Sequence, residues 1–218
     1  MTDAPSKTPA TRRVPAQARA RKTRELILEA AIQLLEKRGL RGFSTNRLAE
    51  ASGFSVGTIY QYFGNKQDVL DALARHERDR RLARSTKTLT ARAKESGAAG
   101  LSLRERARIV VQNELRAFDG RQRARKILFD LQWRSKQHRD MDRPLKIFAD
   151  MLVAGQVADG EQADVHLGAI DAFVLTQAVA GVVRAALERD EHMLLLPEFE
   201  DSLVELIVNF LESRRRKA

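Results

Sequence analysis

Between Phe43 and Lys66 the chain is punctuated too closely for anything but short helices. The stretch reads FSTNRLAEASGFSVGTIYQYFGNK. Ser44 is placed to cap a helix from Thr45 to Ser52, because its hydroxyl can accept a backbone N–H of the first turn. Gly53 supplies a turn that needs positive φ. Ser55 can cap a second helix over 56–63, and Gly64-Asn65 breaks it. Two short helices joined by a turn of about three residues form a helix-turn-helix. Leu48, Ala49 and Ile59 pack the two helices together, Ala49 being small enough for close approach, and Phe54 plugs the turn into the core. The other face of the second helix is left with Val56, Gly57, Thr58, Tyr60, Gln61 and Tyr62. None of these is acidic, and such a helix fits a DNA major groove.

The flanking pattern is also helical. Leu26, Ile27, Ala30, Ala31, Leu34 and Leu35 recur at three-to-four spacing, which predicts a helix over 22–38 closed by Gly39. A long helix starts near Lys66 and runs to Arg84 or beyond, with Val69, Leu70 and Leu73 inward. Past a loop marked by Gly97 and Gly100, helical patterns cover 102–118, 121–137, 142–158, 162–188 and 198–214. Breaks are expected at Asp119-Gly120, Asp159-Gly160 and Pro197. No useful stretch alternates with strand period. The predicted fold is all-α: a three-helix helix-turn-helix domain (21–73), joined by a long helix to a C-terminal helical bundle (74–218). Residues 1–20, with Pro5, Pro9, Pro15, Arg12, Arg13 and Arg19, read as a disordered basic arm.

Charge follows the same division. The chain has 39 Lys/Arg and 29 Asp/Glu, a net charge of +10. Residues 1–96 hold 20 basic and 10 acidic residues, so the remainder is balanced. Such asymmetry points to a polyanion met at one end only. With 0 cysteines, a disulfide scaffold, a thiol nucleophile, an iron–sulfur cluster and a Cys-based zinc site are excluded. His76, His138, His166 and His192 are scattered, and no zincin, P-loop or nucleophile-elbow pattern occurs. Neither an enzyme, a cofactor nor a metal is expected. The longest uncharged apolar stretch, between Asp171 and Arg184, falls short of the roughly 20 residues that span a bilayer. The expectation is a soluble protein of the cytoplasm, nucleoid-associated and not membrane-bound.

In Ala31, Gly39, Ser44-Thr45, Leu48-Ala49, Ala51-Ser52-Gly53-Phe54-Ser55, Gly57-Thr58-Ile59-Tyr60 and Tyr62-Phe63-Gly64-Asn65-Lys66, the sequence resembles the TetR family of bacterial transcriptional regulators. The match covers about residues 22–73; beyond it only the layout is similar. Leu48, where the family often has Ile, and Phe54, in place of the commoner Val, are small departures. The resemblance implies that Ser44 and Thr45 hold phosphate and that Asn46 reaches a base edge. It puts Val56, Gly57, Thr58, Tyr60 and Gln61 in the groove, with Ser55 at the start of that helix, and Tyr62 and Lys66 on phosphate. Gln61 can pair bidentately with adenine.

For the C-terminal half the resemblance implies an inducer-binding and dimerisation domain. Pocket candidates for a largely apolar small-molecule effector are Phe118, Phe129, Trp133, Phe148, Met151, Leu152 and Phe173, with Asn113, His166 and Gln177 as polar members. Taken singly, each is more readily ordinary core, since buried aromatics usually serve packing. The helix over 162–188 is apolar nearly all round and must be covered on both sides. In the resembled family the last two long helices pair with their twins, which nominates Val174, Ala178, Gly181, Val182, Ala185, Leu203, Ile207 and Phe210. The function implied is a homodimeric, sequence-specific DNA-binding regulator, a repressor released from a palindromic operator by an effector. The alternative is a DNA-binding factor without such a ligand, acting through a protein partner of nucleoid or cell-division type.

Overall fold

The computed structural model describes residues 13–97, 100–116, 120–134 and 168–215. Every regular element among them is helical: α1 (Arg13–Arg38), α2 (Thr45–Ser52), α3 (Val56–Tyr62), α4 (Lys66–Glu95), α5 (Leu103–Leu115), α6 (Gln122–Arg134), α7 (Ala169–Arg189), a 3-10 turn (Glu191–Leu195) and α8 (Pro197–Arg215). The all-α class is as predicted. The helix expected over 142–158 and the break at Asp159-Gly160 lie outside the described residues. The chain divides into two units, 1–73 and 74–218.

In the first unit α1 buries Ile27, Leu28, Ala31, Ile32 and Leu35 completely. Leu26, expected inward, is 50% exposed. Three consecutive apolar residues cannot share one face of a helix, and here Ile27 and Leu28 take the core side. The helix also begins at Arg13, inside the stretch read as a disordered arm. Residues 16–22 are Ala, Gln, Arg and Lys, all strong helix formers. Pro15 falls in the first turn, where no backbone donor is missed. Gly39 ends α1 at φ 64, donating its N–H to the Leu35 carbonyl at 2.8 Å. Gly42 is a close approach: a Cβ there would lie 2.6 Å from the Arg38 carbonyl oxygen. Phe43, Leu48, Ile59, Phe63, Val69, Leu70 and Leu73 complete this core.

The second unit is built on α5, α7 and α8. Its core joins Val110, Val111, Leu175, Val183, Leu187, Leu203, Val204, Ile207 and Leu211, with Leu194 from the 3-10 turn. A capping box opens α5: Ser102 accepts the Glu105 N–H, and the Glu105 carboxylate accepts the Ser102 N–H at 2.8 Å. The Ser102 hydroxyl, then its backbone N–H, hold that carboxyl below the ordinary carboxylate value. Arg104–Glu205 at 2.6 Å and Arg108–Glu200 at 2.8 Å tie α5 to α8. Pro197, expected as a break, is the first residue of α8, where its fixed φ suits a helix start.

α7 is 21 residues long with a hydropathy of 1.6, apolar and long enough by composition to cross a membrane, yet only 28% of that window is buried. Three of its four charges are paired within the unit: Asp171 lies 3.1 Å from Arg214 and Arg184 lies 2.8 Å from Glu188.

Candidate nucleic-acid interface

The reading head is set by local chemistry. Ser44 Oγ accepts the Arg47 N–H at 3.3 Å, and Ser55 Oγ accepts the Thr58 N–H at 3.0 Å. Each satisfies an orphan donor, so both short helices start where the serines stand. Gly53 caps α2 at φ 72. Asn65 does more than break α3: its side-chain oxygen accepts the Asp68 N–H at 3.0 Å and so starts α4.

Ile59 and Phe63, four residues apart on α3, point inward and are 0% and 4% exposed. That phase turns Val56 and Tyr60 outward together, and Gly57 and Gln61 beside them. All four are exposed, as are Asn46 and Ser55. Ser44, Thr45, Thr58, Tyr62 and Lys66 are half-buried. Phe54 is half-buried as well, a partial plug. The Tyr60 hydroxyl lies 3.4 Å from Thr45 Oγ1, linking the reading helix to the supporting helix. The Ser55 and Thr58 hydroxyls share a hydrogen bond at 2.9 Å. The exposed arc is thus two methyls, an amide, a phenol and a bare backbone at Gly57. It offers donors, acceptors and apolar contact without negative charge.

Two basic residues have roles that the sequence reading did not assign. Lys66 Nζ donates to the Leu40 carbonyl at 3.0 Å and sits 5.8 Å from the Phe43 ring. A cation at the first position of a helix opposes the macrodipole; the carbonyl and the ring face offset this. One of its three donors is therefore spent within the domain. Arg47, not nominated from sequence, is exposed on α2 and donates to the Gly42 carbonyl at 2.9 Å. The available signal was a cation directly after Ser44, Thr45 and Asn46.

In the second unit the described pocket candidates fall on three helices, α5, α6 and α7. Asn113 is buried, and its Nδ2 has no partner among the described residues. Phe129 packs at the edge of the core. Gln177 is half-buried. Phe173, expected in a pocket, is 53% exposed on the outside of α7. Trp133 is in the last turn of α6. Phe118, Phe148, Met151, Leu152 and His166 lie outside the described residues.

The dimer candidates separate by helix face. Val174, Ala178, Val182 and Ala185 are exposed along α7, joined by Ile170 and Phe173; Gly181 and Phe210 are half-buried. Leu203 and Ile207 are core residues of their own unit, 3% and 0% exposed, and cannot form an interface. Leu206 faces out instead. The apolar pattern of α8 extends beyond one face, so spacing alone did not say which side the rest of the unit covers.

Residues 27–73 match the family model of bacterial regulatory proteins of the tetR family. Over 55 residues the chain is 42% identical to the class D tetracycline repressor protein of Escherichia coli, covering 25% of each protein. The chain thus matches about a quarter of the length of such curated relatives. Among solved structures, a TetR-family transcriptional regulator from Streptomyces coelicolor aligns with a TM-score of 0.65 at 20% identity, over 89% of this chain and 98% of that one. The transcriptional regulator FadR of Bacillus subtilis, solved with stearoyl-CoA, aligns with a TM-score of 0.59 at 19% identity, over 85% and 98%. Sequence likeness is concentrated in the helix-turn-helix, and likeness of fold extends over the rest. Residues 27–73 thus carry the helix-turn-helix of the tetR family of bacterial regulatory proteins, and the remainder shares the fold of solved TetR-family regulators.

Proposed function

We propose that the protein is a sequence-specific DNA-binding transcriptional regulator, a repressor that leaves a palindromic operator when a small molecule binds its second unit. The observation that carries this is the exposed, acid-free arc of α3, held by Ser55 and Gly53 on a domain whose relatives are named repressors. α3 enters a major groove; Thr45, Tyr62, Lys66 and Arg47 engage phosphates and fix its register. The working form is a homodimer, because the outer face of α7 leaves Ile170, Phe173, Val174 and Val182 in water. Contiguous apolar surface of this kind marks an interaction site. Effector binding favours a conformation that holds DNA less well, and by linkage DNA weakens effector binding by the same factor. Such a protein works in the cytoplasm, at the nucleoid.

In vitro selection of bound duplexes, followed by footprinting, tests the reading. The expected result is a palindrome whose half-sites lie about 34–36 Å apart, or a multiple of that. Binding with no preferred sequence, or to an asymmetric single site, overturns it.

A further inference from the structure

We infer that the second unit holds a binding site for an organic anion, a carboxylate or phosphate on an apolar body, at the cleft where Arg125 of α6 faces α4. The inference rests on the regulator reading, since it makes the effector an acid.

One stripe of each helix lines the cleft. Glu77 and Arg81 of α4 meet Arg125 at its charged end; Ala74, Leu128 and Phe129 form its apolar end. Arg125 is poorly matched. Its side chain is 12% exposed, and its ion pair to Glu77 is long, at 3.7 Å. Its Nη1 reaches the Arg116 carbonyl only at 3.4 Å, and its buried Nε has no acceptor among the described residues. Glu77 is itself shared with Arg80 at 3.4 Å, and Glu114 pairs with Arg81 at 3.3 Å. Burial lowers the affinity of Arg125 for its proton, and the neighbouring Arg81, Arg84 and Arg121 lower it further, against the pull of Glu77.

An arginine stays charged in proteins, so the mismatch is not relieved by losing a proton. A largely buried cation with one distant carboxylate, one long bond to a carbonyl and several like charges nearby is costly. A second anion relieves this, because the planar guanidinium fork accepts carboxylate or phosphate through paired N–H bonds. The cleft encloses about 10 Å³ in this structure, room for about one water molecule. The anion therefore enters by displacing the Glu77 carboxylate from Arg125, a group of matching size. Duplex phosphates are too bulky for that exchange, so the ligand is a small molecule. The same displacement is needed to open the cleft beyond one water molecule, and Ala74, Leu128 and Phe129 beside the charged end then favour an anion with a hydrocarbon body over a bare ion.

Titrating the full chain with octanoate, octyl phosphate, octan-1-ol and inorganic phosphate tests this, with calorimetry and the fluorescence of its single tryptophan as readouts. The two octyl anions are expected to bind roughly tenfold or more tighter than the alcohol. Arg125→Gln removes that preference, and Glu77→Gln, which deletes the competing carboxylate, tightens anion binding. Arg92→Gln, at the far end of α4, leaves binding unchanged. Inorganic phosphate that fails to compete supports the amphiphile; inorganic phosphate that binds as tightly as octyl phosphate overturns the apolar half of the inference. Octanol binding equal to octanoate, or a folded Arg125→Gln chain that keeps the preference, overturns the site. Should Arg125→Gln fail to fold, weaker or unchanged anion binding in Glu77→Gln overturns it as well. Operator selection on the same preparation keeps the two readings apart. DNA bound without anion binding removes only this inference, whereas no selected DNA removes the regulator reading.

Discussion

Gly53 and Gly57 stand four residues apart and do opposite work. Gly53 occupies φ 72 with nothing within 4 Å of a Cβ, so its need for glycine is conformational and not steric. Gly53→Ala is expected to cost about 1–2 kcal/mol of stability by urea unfolding. Gly57 lies in α3 with ordinary backbone, and a Cβ there would meet only Ser55 Oγ at 3.7 Å. Alanine should therefore be neutral or stabilising by up to about 1 kcal/mol. In the proposed complex the same methyl would stand between the helix backbone and the groove. Gly57→Ala should fold at least as well as the parent and bind the selected operator more weakly; undiminished affinity would take Gly57 out of the interface. Lys66 braces its domain from the first turn of α4. Its Leu40 bond is worth about 1 kcal/mol, and its two remaining donors are available to phosphate. Lys66→Met should lose that stability and lower the slope of log affinity against log salt by about 0.9. A changed stability with an unchanged slope would make Lys66 a brace alone.

At the scale of elements, α7 and α8 differ in which apolar residues their own unit covers: Leu203 and Ile207 are buried, whereas Val174 and Val182 are exposed. Leu203 and Ile207 should behave as core: either one changed to alanine costs about 2–5 kcal/mol and leaves subunit number alone. Val182→Asp places a charge on the exposed apolar face of α7 and should give a folded monomer in sedimentation; a dimer of unchanged strength would move the interface elsewhere. The sequence reading reached the helix-turn-helix because its signals are local. Ser44, Ser55 and Gly53 each specify a backbone conformation within a few residues, and Ile59 with Phe63 sets the phase of α3. It failed where partners are distant. Nothing near Leu203, Ile207 or Leu206 in the chain says which side of α8 meets α5, and nothing near Phe173 says that its side of α7 is uncovered. Arg13 to Ala20 were misread because prolines outweighed the helix-forming residues after them. Arg47 and the internal bond of Lys66 were missed because both depend on the carbonyls of a loop whose path only the fold defines.

For the molecule as a whole, a net charge of +10 concentrated before residue 97 and a reading arc of a few uncharged residues are complementary. On the proposed function, charge draws the protein to any duplex and cannot choose among sequences, whereas the arc chooses but contacts few bases. One base pair read well is worth about 1–3 kcal/mol, so a single head discriminates weakly against a genome of competing sites. Two heads held by one interface roughly double the discriminating free energy, which squares the specificity ratio. On the same proposal, the α7 face takes part in sequence recognition although it lies outside the helix-turn-helix unit. It follows that disrupting one half-site of the selected operator should cost the parent protein about 10²-fold or more in affinity at fixed salt. The Val182→Asp protein should bind intact and half-disrupted operators within a few-fold of each other, while its salt slope on random duplex falls to about half the parent's. Titrations at two salt concentrations check this, since non-specific binding is the part that falls steeply with salt. A monomeric variant that still required both half-sites would mean that the two heads are coupled through the DNA and not through the protein.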